Sequence, residues 1–227
     1  MKVQDPALGS DRSIAGQIAR ALAERIVIGE IAPGTRLLQD HVAEEFQASH
    51  VPVREAFRRL EAQGLVVSEP RRGVRVPGLD PAVITEVTEM RAALETLALR
   101  HALPKITEAD LAEAERAADD SEASDDIRVW EEANRRFHRV TVQPCGMPRL
   151  LRFIDDLHAT SSRFLFATWR EMDWEARSEA EHRELLAALR AKDEARALEI
   201  LRQHILAAGE ALRAGVEQGV VKPDGGA

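Results

Sequence analysis

The chain has little with which to cross-link itself, anchor itself or leave a cell. Its only cysteine is Cys145, which excludes an internal disulfide framework and a cysteine-based zinc finger and fits a reducing, cytoplasmic setting. No stretch approaches the roughly 18 consecutive apolar residues of a membrane span, and Met1 to Ser10 holds no apolar run of the signal-peptide kind. Neither membrane insertion nor secretion is expected. Internal repeats are absent, and so is any surplus of positive charge, the formal net charge being −8. What is present suffices for a packed interior: 227 residues, 44% of them hydrophobic, fill one large domain or two small ones.

The net charge conceals an uneven distribution. Residues 1–80 carry 11 Lys and Arg against 11 Asp and Glu, so the whole negative surplus lies in the remaining 147 residues. From Ala48 to Val76 six arginines face three glutamates, a local positive segment suited to phosphate.

That segment sits in a recognisable order of elements. Ile14, Ile18, Leu22 and Ile26 recur every four residues, which puts them on one stripe of a helix from about Arg12 to Ile28, with Gly29 as its stop. Pro33-Gly34 makes a turn, and Gln39 to Phe46 reads as a short helix burying Val42, Ala43 and Phe46. A third helix starts from Ser49 as N-cap, tolerates Pro52 in its first turn and ends at Gly64. Along it Val53, Ala56, Phe57 and Leu60 face the core, while His50, Arg54 and Arg58 form a second, cationic stripe. Leu65-Val66-Val67 and Val74-Arg75-Val76 flank the basic turn Pro70-Arg71-Arg72-Gly73 and read as two short strands. Helix, helix-turn-helix and hairpin together form a winged helix-turn-helix, whose second motif helix enters the DNA major groove while the wing meets the backbone beside it.

Beyond the linker 77–81 the composition turns to Ala, Leu, Glu and Arg without strand-like alternation. Helices are expected near 82–102, 107–122, 125–142, 148–169, 174–191 and 194–214, with Pro104, Pro144 and Pro148 as punctuation. The fold class is thus mainly α: a winged helix-turn-helix over 1–76, an all-helical bundle over 82–215, and a flexible tail over 216–227.

Within the bundle Asn134 and His138 stand four apart on one helical face, beside apolar Trp130, Phe137 and Val140. His182 and His204 each lie about eleven residues from a turn at Lys192-Asp193, which at ~1.5 Å per residue sets them level across an antiparallel helix pair. Three imidazoles and an amide oxygen gathered in a bundle suit a divalent metal. Histidines on half-apolar faces also serve as ordinary hydrogen-bonded core groups, as His41, His101 and His158 could, and a charged helix stripe can be merely solvated. Periodicity leaves both alternatives open.

The runs Pro33-Gly34-Thr35-Arg36-Leu37, Pro52-Val53-Arg54-Glu55-Ala56-Phe57, Leu60-Glu61-Ala62-Gln63-Gly64-Leu65 and Pro70-Arg71-Arg72-Gly73-Val74 resemble the GntR family of bacterial transcriptional regulators. Met90-Arg91-Ala92-Ala93-Leu94-Glu95, Asn134-Arg135-Arg136-Phe137-His138, Glu181-His182-Arg183-Glu184-Leu185-Leu186 and His204-Ile205 resemble the FCD effector domain of its FadR-like subgroup. The resemblance implies DNA contacts from Arg36, Ser49, His50, Val51, Arg54, Arg58, Arg71, Arg72 and Gly73. It implies a divalent metal at Asn134, His138, His182 and His204, zinc first, with nickel, manganese or iron as alternatives. Open metal positions would accept a small carboxylate effector, with Arg91 as a further anion contact or, equally, as a structural ion pair. Two departures stand out. His50 occupies a place where the family usually has Arg, and Asn134 one where many members have Asp.

The functional expectation is a cytoplasmic, homodimeric DNA-binding regulator, a repressor by preference. It would bind a pseudo-palindromic operator and be controlled by a small organic acid at the metal site. A metal-dependent hydrolase and a metalloregulator sensing the ion itself are the competing readings. The first has no evident nucleophile or general base beside the histidines and leaves residues 1–76 without a role.

Overall fold

A computed structural model describes residues 13–69, 73–168 and 175–217. The chain divides into two compact units, residues 1–79 and 80–227.

The N-terminal unit is built on three helices. Helix α1 (Ile14–Val27) is capped by the Ser13 hydroxyl, which accepts from the Gly16 N–H. It buries Ile18, Leu22 and Ile26. Ile14, expected on the same stripe, is exposed, although Ala15 and Gly16 in the same turn are buried. Helices α2 (Gln39–Glu45) and α3 (His50–Ala62) form the helix-turn-helix, and α1 and α2 both pack on α3. Phe46 follows α2 and is half-buried rather than buried. Helix α3 turns its Val53, Ala56, Phe57 and Leu60 into this core. After Gly64 the Leu65 N–H returns to the Leu60 carbonyl at 2.9 Å, a reversal that drops Leu65 and Val66 into the interior.

The wing differs from the two expected strands. Three strands, β1 (Arg36–Leu37), β2 (Val67–Glu69) and β3 (Gly73–Arg75), form an antiparallel sheet in the order β1-β3-β2. Strand β2 begins at Val67 rather than Leu65, since Leu65 and Val66 plug the core before pairing starts. Pairing sets Arg36 opposite Arg75 and Leu37 opposite Val74. Gly73 holds a φ of 82°, and a Cβ there would collide with the Leu37 carbonyl, so the close approach of β1 to β3 requires glycine.

The second unit is all helical among the described residues: α4 (Pro81–Ala102), α5 (Glu108–Glu122), α6 (Ile127–Val142), α7 (Pro148–Thr168), α8 (Glu175–Arg190) and α9 (Glu194–Glu217). Local signals set the starts. Asp80 caps α4, Thr107 and Asp110 form a reciprocal capping box on α5, and Asp126 caps α6. Helix α4 lies against α9 and α7, while α5 lies against α6 and α8. Where α4 crosses α9, a Cβ on Gly209 would overlap the Thr88 side chain, so the two backbones meet at glycine distance. One apolar cluster, containing Leu99, Phe137, Ile154, Leu185 and Leu201, runs through the unit. Helix α9 continues to Glu217, past the expected end, and residues 218–227 of the expected tail lie outside the described residues.

Candidate metal centre and nucleic-acid interface

Helix α3 separates its two faces as its sequence demands. Val53, Ala56 and Leu60 are fully buried, while His50, Val51, Arg54 and Arg58 are exposed. Arg54 makes no hydrogen bond or ion pair among the described residues, and Arg58 reaches Glu55 only at 3.9 Å. Both guanidiniums are therefore available to an outside anion. His50 is held at the start of the helix: its carbonyl accepts from Gln39 Nε2 at 2.7 Å, and its Nδ1 lies 3.5 Å from Asp40. Ser49 occupies the N-cap position, yet its hydroxyl makes no capping hydrogen bond. In the wing Glu69 joins Arg36 at 3.2 Å and Arg75 at 2.5 Å, so Arg36 is half-exposed and already paired. Gly73 shapes the wing through its backbone. Arg71 and Arg72 lie outside the described residues.

In the helical unit α6, α8 and α9 bring His138, His182 and His204 together, all buried, with potential ligand atoms within 4.8 Å of one another. Each outer nitrogen of two of these rings meets a carboxylate: His138 Nδ1 lies 2.9 Å from Glu95 Oε2, and His204 Nδ1 lies 2.9 Å from Glu181 Oε2. An ionised carboxylate only accepts, so the ring proton belongs on Nδ1 and the lone pair on Nε2. The two Nε2 atoms then face each other 3.2 Å apart with no proton between them. His182 stacks on Phe137 with ring centres 4.0 Å apart, and neither of its nitrogens has a hydrogen-bond partner among the described residues.

Burial first, and neighbouring positive groups second, disfavour protonation of these rings. His204 is held at about 4, with Glu181 opposing the shift; His182 is pushed well below its ordinary value, and His138 is lowered despite Glu95. Neutral imidazoles with inward lone pairs and an orphaned ring form a donor set a divalent cation satisfies and a proton does not. The residues fit a metal ion.

Asn134 borders the same space. Its Nδ2 donates to Glu131 Oε2 at 3.3 Å, and its Oδ1 is buried without a partner among the described residues. An ionised Glu131 only accepts, which matches an amide with its NH2 turned toward it and Oδ1 left as an oxygen donor. Arg91 is buried and committed in part: Nε donates to Glu95 at 2.9 Å, Nη1 to Ser161 at 3.1 Å, and Nη2 lies 3.2 Å from His158 Nε2. Glu95 is fully buried; burial pushes its carboxyl up, but Arg91, His158 and His138 together hold it well below the usual range. A cavity of about 30 Å³ opens among Arg91, Glu131, Asn134, His138, His158 and His204.

Sequence reasoning brought together the three histidines, Asn134 and Arg91 but missed Glu95, Glu131, His158, Ser161 and Glu181. A signal existed for Glu95, which stands four residues from Arg91 on one helix face. Glu131, half a turn from apolar neighbours, and Glu181, beside His182, carry no periodicity that separates them from solvated acids.

Comparison with known proteins supplies the family. The model described as "Bacterial regulatory proteins, gntR family" matches residues 14–76, and the FCD domain matches residues 86–207. The chain is a GntR-family regulator with an FCD domain. It is 30% identical over 191 residues to the HTH-type transcriptional regulator McbR of Escherichia coli, covering 80% of this chain and 84% of that one. It is 29% identical over 203 residues to the HTH-type transcriptional repressor RspR of the same organism, covering 87% and 88%. The solved structure of E. coli McbR/YncC superposes with a TM-score of 0.76 at 25% identity, covering 91% of this chain and 98% of that one. Such a GntR/FCD chain is a DNA-binding transcriptional regulator, and its family is one of regulators rather than enzymes.

Proposed function

We propose that this GntR-family chain is a cytoplasmic, homodimeric repressor that releases DNA when a small carboxylate binds beside a divalent metal. Arg54, Arg58, His50, Val51 and Ser49 on α3 meet the major groove, with Arg36, Arg71, Arg72 and Gly73 at the wing contacting the backbone. Two copies read two half-sites of a pseudo-palindromic operator, because one small reading head supplies too little affinity. His138, His182, His204 and the Asn134 oxygen hold the ion, zinc by preference. Bound there, the ion supplies a positive Lewis-acidic centre with positions left for a carboxylate. Glu95 and Glu181 orient two of the imidazoles, and Arg91 steadies the acid. The effector shifts the equilibrium between DNA-competent and DNA-incompetent states by its difference in affinity for the two.

The observation that carries the metal reading is the buried His182 ring, both of whose nitrogens lack a partner among the described residues while two lone pairs converge beside it. Elemental analysis of the purified protein, with DNA binding followed as zinc and mono- and dicarboxylates are added, tests the proposal. Near-stoichiometric metal and acid-dependent DNA release are the expected results. DNA release by metal or chelator alone would instead favour a metalloregulator.

A further inference from the structure

The cavity beside the histidines has a wall that a plain carboxylate leaves unanswered. Glu131 is 6% exposed and lines that cavity. Its hydrogen bonds come from neutral donors, the Ser162 hydroxyl to Oε1 and the Asn134 amide to Oε2. No Lys, Arg or His side chain stands within ion-pair distance of it among the described residues; burial pushes its carboxyl up, opposed by the Ser162 hydroxyl and, from farther off, by Arg135 and Arg91. A carboxylate accepts about four hydrogen bonds, so acceptor positions remain, and a buried carboxylate without a cation is among the costliest arrangements a protein core can hold. Arg91 also lines the cavity; two of its five donor hydrogens are committed, to Glu95 and Ser161, while its Nη2 lies 3.2 Å from His158 Nε2, which itself lies 3.1 Å from Glu95 Oε1. The adjacent residues Ser161 and Ser162 tie the two walls together, one bonded to the cation and the other to the carboxylate. The cavity is thus lined by a guanidinium at Arg91, itself paired with Glu95, and by an acid at Glu131 that has no such pair.

We infer that the effector is a small amino acid, whose ammonium seats against Glu131 while its carboxylate faces Arg91 and the histidine cluster. This rests on the carboxylate-effector reading above and narrows it. An ammonium answers both the charge and the free lone pairs of Glu131; a hydroxyl answers one lone pair, and a methylene neither. The space of about 30 Å³ holds roughly two waters, so glycine, with five heavy atoms, enters only as the lining side chains move apart.

Isothermal calorimetry and thermal shift on the full-length zinc-loaded protein, with operator release as a second readout, test this with three matched sets. These are glycine and alanine, glycolate and lactate, and acetate and propionate. Amino acids should bind at least tenfold tighter than their hydroxy and unsubstituted counterparts. Glu131→Gln should erase that preference while retaining weak binding of all three sets. Equal or tighter binding of the hydroxy or plain acids overturns the inference and leaves the carboxylate-effector reading standing. An amino-acid preference that survives Glu131→Gln also overturns it. Failure of all three sets removes both readings. If Glu131→Gln does not fold, the ranking of the three sets on the wild type decides the matter.

Discussion

Replacing His182 with leucine is expected to leave the metal-free protein about as stable as the wild type, or more stable, while abolishing stabilisation by zinc. The ring is buried with both nitrogens unpartnered among the described residues, and such a group costs ~1–3 kcal/mol. Leucine removes that cost but forfeits the stack on Phe137, whose ring centre lies 4.0 Å away and which contributes about 0.5–1.5 kcal/mol. The net change lies between about 0.5 kcal/mol against the variant and about 2.5 kcal/mol in its favour. At roughly 2–4 °C per kcal/mol for a chain of this size, the metal-free Tm stays nearly level or rises by up to about 10 °C. Wild-type protein at a hundredfold excess of zinc over Kd gains ~2.7 kcal/mol, or roughly 5–11 °C, and His182→Leu should lose nearly all of it. Differential scanning calorimetry with and without zinc reads both halves. A metal-free Tm that falls by more than about 5 °C, or a zinc shift that persists in the variant, would refute the reasoning by making His182 an ordinary core histidine.

Acid should unfold the helical unit over a defined window. His158 and His204 are both held at about 4, chiefly by burial, whereas the unfolded chain protonates them near ~6.5. Between those values the unfolded state binds more protons, so stability falls as pH drops from about 6.5 to about 4, by an order of a few kcal/mol in all. Urea midpoints that stay flat from pH 7 to 4.5 would contradict the burial argument. Because imidazoles must be neutral to bind metal, zinc should also be released over the same descent, measurable by competition with a chromogenic chelator. Arg54→Ala should weaken operator binding without lowering Tm, since the side chain is exposed and unpaired among the described residues. If Arg54 meets a phosphate at each half-site, the salt slope should fall by about two; an unchanged affinity and slope would remove this residue from the interface.

Much of the N-terminal unit was legible because its signals are local. The four-residue spacing of Ile18, Leu22 and Ile26, the positive-φ glycines at 29 and 64, and the two-faced pattern of α3 each act within a few turns of one helix. The third strand was not legible, since two residues carry no period and β1 exists only through its pairing with β3. In the helical unit the reading that set His182 and His204 level about one turn of chain was sound: their ring centres lie 4.7 Å apart. The equal distance of each from the same tight connection is a local quantity.

The sequence by itself determined which faces of which helices point inward, where most helices begin, that Asn134 and His138 share one helix face, and that His182 and His204 stand level across a helix pair. Periodicity and capping depend on neighbours along the chain, so they survive without knowledge of the fold. Tertiary structure alone decided that Glu95 and Glu181 meet the outer nitrogens of two rings, that His182 meets none among the described residues, and that Glu131 accepts from the Asn134 amide. Those contacts depend on how far one helix slides and rotates against another, which is set by packing of the whole core, down to the glycine contact at Gly209 and Thr88. A charged residue on a helix reads the same in sequence whether it faces water or a buried ring; only the neighbouring helix distinguishes the two.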